Sequence, residues 1–134
     1  LNMSLASNGF FLYVPSGVKV KLPVQLINYS KGDDNPFIQS RNLIILDDNA
    51  EITFLQCDDT HMSVDNSFYN ILTEFYIGKG ATLYHYKLQN KSNNSSLINT
   101  MFFTLNESSN LHSLSLTYNG GFFLKKNIIY MDAP

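Results

Sequence analysis

Cys57, His61 and His85 are the side chains in this sequence with the clearest capacity for chemistry. A thiolate can attack or bind a soft metal, and an imidazole can move a proton or ligate one. Cys57 and His61 form a C-x3-H pair, the beginning of a metal site that would still need a third or fourth ligand. Cys57 directly precedes Asp58 and Asp59. Nearby anions raise a thiol pKa and disfavour a reactive thiolate, so we expect a passive residue at a strand end. His85, within LYHYKL, is expected to be a half-buried histidine bonded to a neighbour rather than a ligand. His112 lies in a further strand and is given no role. Three Asp pairs, 33/34, 47/48 and 58/59, are expected in loops or corners, where Asp stabilises turns. Adjacent strand residues face opposite ways, so such pairs are not a general acid and base. No G-x-S-x-G, phosphate loop, dinucleotide fingerprint or H-E-x-x-H occurs. We therefore expect no catalytic residue, no resident cofactor and no metal site, with Cys57, His61 and His85 as the weak candidates.

The elements that hold these residues follow from a repeat. From Leu46 the chain reads LDDNAEI: an apolar residue, two variable ones, a turn residue, a small residue, a variable one and an apolar one. VPSGVKV from Val14, IGKGATL from Ile77 and LNESSNL from Leu105 share the pattern. Each follows an apolar run (FFLYV, NLIIL, EFYI, TMFFTL), and a fifth run, NIIYM, ends at Met131. The anchors Val14, Leu46, Ile77, Leu105 and Met131 stand about 26 to 32 residues apart, a period typical of stacked units. Gly17, Asn49 and Gly80 fill one turn slot, where Gly and Asn tolerate positive φ. Ser108 is a weaker match there.

A single strand–turn–strand unit cannot bury its apolar face alone, but stacked units bury each against the next. The pattern thus predicts an all-β parallel β-helix, or β-solenoid, of about four to five coils. It would be one domain over residues 1–134, a piece of a longer protein that begins at Leu1 and stops at Pro134. After the corner, positions 18, 20 and 22 and positions 50, 52 and 54 keep a period of two. In the third copy the apolar phase moves to Tyr84, Tyr86 and Leu88, which predicts a second corner after Leu83. An antiparallel sandwich is the competing architecture, but it would not repeat a seven-residue corner in register. The polar segments 29–35, 57–66, 89–96 and 117–121 read as wider loops.

Composition narrows the class. The 134 residues are 44% hydrophobic and 15% charged, with net charge −2. Such a chain can build a core but offers no basic field for a nucleic acid. The single cysteine excludes an internal disulfide. No apolar run approaches the roughly 20 residues that span a bilayer, and the N-terminus has no signal-peptide pattern. We expect no membrane partner.

Four blocks then carry a resemblance. GFFLYVPSGVKVKLPVQL (9–26), RNLIILDDNAEITFLQ (41–56), ATLYHYKLQN (81–90) and LHSLSLTYNGGFFLKKNI (111–128) resemble, in order, the β-helix core of SufD-type proteins in the SufB/SufD family. The pairing of HYKLQ with the later double Gly favours the SufD branch. The resemblance implies a right-handed parallel β-helix and a non-catalytic scaffold subunit of the SufBCD complex, which builds iron–sulfur clusters in the cytoplasm or the plastid stroma. Its partners there are SufB and the ATPase SufC. The segment that binds SufC and the proposed cluster-related histidine lie beyond this chain. Cys57 sits one residue off the E-G-C-T-A-P turn of SufB proteins and lacks the Thr-Ala-Pro that follows, so no role passes to it. A carbohydrate-active or carbohydrate-binding β-helix is the alternative class. It would show a groove of clustered charges, which the sequence does not. Exposed strands at the ends of the stack predict a homo-oligomer of the fragment.

Overall fold

The computed structural model describes residues 2–30, 37–60 and 66–132. A short helix, α1 (Asn2–Leu5), precedes nine strands: β1 (Asn8–Val14), β2 (Val24–Ser30), β3 (Phe37–Leu46), β4 (Glu51–Thr60), β5 (Phe68–Ile77), β6 (Thr82–Asn90), β7 (Ser96–Leu105), β8 (Asn110–Asn119) and β9 (Phe122–Met131). Odd strands form one sheet, β1-β3-β5-β7-β9, and even strands the other, β2-β4-β6-β8. Every pairing is parallel. The chain thus winds as a solenoid of about four turns, as the repeat predicts.

The register agrees with the sequence period residue for residue. Val14 pairs with Leu46, Leu46 with Ile77, Ile77 with Leu105, and Leu105 with Met131. The spacing of the anchors is therefore the length of one turn of the winding at each level.

The corner after each odd strand is one motif. Gly17, Asn49, Gly80 and Ser108 have φ of 72°, 57°, 66° and 58°. Ser108 thus adopts the left-handed conformation despite being a poor residue for it. The amide N–H after each slot bonds back across the turn: Val18 to Pro15 O, Ala50 to Asp47 O, Ala81 to Gly78 O and Ser109 to Asn106 O, each at 3.1 Å. The slot amides of Gly17, Asn49 and Gly80 instead reach the next coil, at Asp48 O, Lys79 O and Glu107 O. Backbone donors that a turn would leave orphaned are thereby satisfied.

Inward residues alternate along both sheets. Ile44, Leu46, Ile52, Phe54, Phe75, Ile77, Leu83, Met101, Phe103 and Leu105 make the main core beside the corners. Phe75 stacks on Phe103 at 4.6 Å between centroids. Each such buried side chain contributes about 1.5–3 kcal/mol relative to exposure.

Several local expectations are corrected. No second corner follows Leu83: β6 runs unbroken from Thr82 to Asn90. Leu83, His85, Lys87 and Gln89 are buried, while Tyr84, Tyr86 and Leu88 face out. The inward phase holds, but its residues turn polar, and that looked like a phase change. Asp58 and Asp59 belong to β4 rather than to a loop. The segments 57–66 and 89–96 accordingly begin as strand. In the first coil Val20 packs on the core, but Val18 and Leu22 are exposed. β2 begins only at Val24, after Pro23, whose missing N–H cannot join a ladder.

Candidate functional site

Strand alternation assigns each candidate to a side of the wall. On β4 the even positions Phe54, Gln56 and Asp58 are buried and the odd positions 55, 57 and 59 lie on the outer face. Cys57 is half-buried there, and its Sγ accepts a hydrogen bond from Gln25 Nε2 at 3.4 Å. On β6 His85 is fully buried and faces inward. Cys57 and His85 therefore lie on opposite faces of one sheet and cannot share a ligand. His61 lies outside the described residues. Among those described, no group of three or more His, Cys, Asp or Glu side chains is placed to hold a metal ion.

His85 is set by its neighbours. Its ring lies 6.1 Å from Phe54, 5.0 Å from Phe75 and 6.1 Å from Phe103, centroid to centroid. Nδ1 is 3.0 Å from Ser113 Oγ on the next coil. Burial, reinforced by the Lys87 and Lys125 charges, pulls its pKa down to about 3. The imidazole is neutral at pH 7, a polar member of an aromatic stack.

Beyond His85 the interior becomes polar. Asp58 Oδ2 and Lys87 Nζ form an ion pair at 2.8 Å, with both side chains almost wholly buried. Asn28 Nδ2 donates to Asp58 Oδ1 at 2.8 Å, and Lys87 Nζ donates to Asn99 Oδ1 at 3.3 Å. Burial pushes the Asp58 carboxyl up. Lys87, by charge and hydrogen bond, together with Asn28 and Lys91, outweighs it and holds the group below the usual carboxylate range. Lys91 donates to the Asp59 carbonyl at 2.9 Å and lies 4.2 Å from the centre of the Tyr69 ring. Burial pulls its pKa down, against the opposing pull of Tyr69, Asp58 and Asp59.

Register lines these groups up along the stack. Leu26, Gln56, Lys87 and Ser115 are successive partners in one inward column. Asn28, Asp58, Gln89 and Thr117 form the next. Parallel neighbours stand about 4.8 Å apart, so each column brings its side chains into mutual reach. Two hollows flank the columns. One, of about 320 Å³, includes Asn28, Asn42 and Lys91 in its wall. The other, of about 490 Å³, includes Cys57, Asp58, Gln89 and Tyr118.

Sequence reasoning named His85 and Cys57 but missed Gln56, Asp58, Lys87, Gln89 and Asn99 as one interior group. The signal was present. Counting by twos from Ala81 through Leu83 leads to His85, Lys87 and Gln89, without any need for a phase change.

Residues 28–134 match the family described as SUF system FeS cluster assembly, SufBD core domain. The iron–sulfur cluster assembly protein SufB of Bacillus subtilis is 32% identical over 94 residues, which cover 70% of this chain and 20% of that protein. SufD of the same organism is 27% identical over 92 residues, covering 69% and 21%. An iron–sulfur cluster assembly SufBD family protein of Synechocystis is 27% identical over 104 residues, covering 71% and 23%. The matched region is thus about a fifth of the length of these relatives. No solved structure gives a significant match.

Proposed function

The chain belongs to the SufB/SufD family of iron–sulfur cluster assembly proteins, and from that premise we propose that it is a non-catalytic scaffold segment of such an assembly subunit. The observation that carries this reading is where the reactive side chains are committed. Asp58 and Lys87 neutralise each other inside the stack, His85 is held neutral among Phe rings, and Cys57 is engaged by Gln25. Ladder and interior thus use these groups to build a rigid wall, and a rigid wall suits a scaffold.

The proposal places the segment on the SufD branch, working with SufB and SufC in the cytoplasm or plastid stroma and holding no cofactor of its own. Identities of 32% and 27% to a SufB and a SufD protein are too close to separate the branches. The SufD assignment rests on HYKLQ (85–89) and Gly120–Gly121. Both have structural reasons: the first lays His85, Lys87 and Gln89 inward, and a Cβ on Gly121 would clash with the backbone oxygen of Asn93.

The test is co-purification. The full-length parent is expressed with tagged SufB and SufC candidates from the same source. A stoichiometric complex is the expected result. A parent that elutes alone, with its solenoid intact by circular dichroism, removes the assembly role.

A further inference from the structure

The interior polar group holds more hydrogen-bonding capacity than the protein itself uses. Both amide atoms of Gln56, both of Gln89, Nδ2 of Asn99, Nε2 of His85 and Oγ of Ser115 are buried without a protein partner. Gln56, Gln89, Asn99 and His85 are each no more than 1% exposed. Gln56 and Ser115 are the register partners of Lys87, Gln89 is that of Asp58, and Asn99 on β7 reaches Lys87 Nζ from the other sheet. A buried polar group without a partner forfeits the hydrogen bonds it would make in water, so such a cluster in one place calls for an occupant.

The chemistry of the atoms selects that occupant. The unpartnered set mixes donors (the amide nitrogens of Gln56, Gln89 and Asn99) with acceptors (the amide oxygens of Gln56 and Gln89). The hydroxyl of Ser115 serves as either. The central charges cancel as Asp58 with Lys87. A cation would want a majority of acceptors, and an anion would want donors with spare positive charge. A balanced set around a neutral pair suits water, which donates and accepts equally. Access exists through the smaller hollow, whose wall includes Asn28, bonded to Asp58.

We infer that the solenoid contains a hydrated polar seam: a short file of bound water along the Gln56–Lys87–Ser115 and Asp58–Gln89 columns. The file links the buried ion pair to solvent through the hollow beside Asn28. A buried water makes about three hydrogen bonds, so the unpartnered atoms require about two or more molecules. The seam keeps Asp58 and Lys87 in proton exchange with solvent although both are almost wholly buried.

Oxygen-17 magnetic relaxation dispersion counts long-lived internal waters. It is applied to the full-length chain that carries this segment and to its Gln56→Leu/Gln89→Leu variant. The expected result is about two fewer long-lived waters in the variant. Equal counts in two folded proteins overturn the inference. If the variant does not fold, a high-resolution crystal structure of the natural chain decides. Water oxygens within hydrogen-bond distance of the Gln56 and Gln89 amides support the seam. A dry interior, or an anion in that position, overturns it.

Discussion

Asp58 of β4 and Lys87 of β6 meet at 2.8 Å inside the wall of the solenoid, two residues out of direct register. Removing one partner leaves the other charged and buried, which typically costs about 3–5 kcal/mol. Asp58→Leu and Lys87→Met should each destabilise by that order. The Asp58→Leu/Lys87→Met double variant removes both charges and should recover much of the loss, giving a coupling of about 2 kcal/mol or more. Urea unfolding of the four proteins measures it, and additive single effects would show that the pair is not coupled.

His85 predicts a pH dependence. Its folded pKa of about 3 lies below the unfolded value of 6.5. Above pH 6.5 both states are neutral and the stability is fully present. As pH falls below 6.5 the unfolded state takes up a proton that the folded state refuses, so stability is lost progressively down to about pH 3. Between pH 7 and pH 5 the loss is about 2 kcal/mol. His85→Phe, in a site already walled by Phe54, Phe75 and Phe103, should remove that part of the slope, whatever it does to absolute stability. Asp58 adds a second loss at lower pH, because its depressed pKa gives stability above 3.8 that vanishes as pH falls through the folded value. Denaturant midpoints at several pH values, compared between the natural protein and His85→Phe, check the sign. An unchanged slope in the variant would clear His85 of the effect.

The corners make a prediction of opposite signs. Ser108 holds φ 58° where Gly17 and Gly80 occupy equivalent slots. Ser108→Gly relieves a left-handed strain of about 1–2 kcal/mol but adds unfolded-state entropy, so the net gain should be about 0.5–1 kcal/mol. Gly78 contrasts with it. Its φ is not positive, but a Cβ there would lie 2.7 Å from Asp47 C and Asp48 N in the neighbouring corner. Gly78→Ala should cost about 1–3 kcal/mol, because backbone atoms must move apart. Thermal midpoints of the two variants should shift in opposite directions.

The winding was legible because it is written in spacing. Val14, Leu46, Ile77, Leu105 and Met131 are Cα partners across five strands, and a period needs no knowledge of contacts. The polar seam was not legible for a physical reason. An apolar period picks out Tyr84, Tyr86 and Leu88, whereas the inward positions of β6 are the polar His85, Lys87 and Gln89. Lys87 is tolerable inside only because Asp58 stands on the neighbouring strand, 29 residues earlier, and that pairing appears only once the coils are in register. The parity of Cys57, which separates it from His85, likewise depends on β4 continuing past the point where its sequence turns acidic.

The last strand predicts association of the 134-residue chain on its own. Among the described residues β9 pairs with β7 alone, and Phe122, Leu124, Ile129, Tyr130 and Met131 are exposed. An open strand edge with apolar side chains recruits another strand. Asp132 donates its N–H to Leu105 O on β7, so alternation turns the N–H groups of Ile129 and Met131 to the free side. Ile129→Pro therefore removes a donor from the open edge and spares the ladder to β7. The natural 134-residue chain should show a concentration-dependent mass by light scattering, and Ile129→Pro should weaken the association about tenfold or more, an effect of about 1.4 kcal/mol. A natural chain that stays monomeric at every concentration would count against pairing through β9. An Ile129→Pro variant that still associates equally would place the contact on another surface.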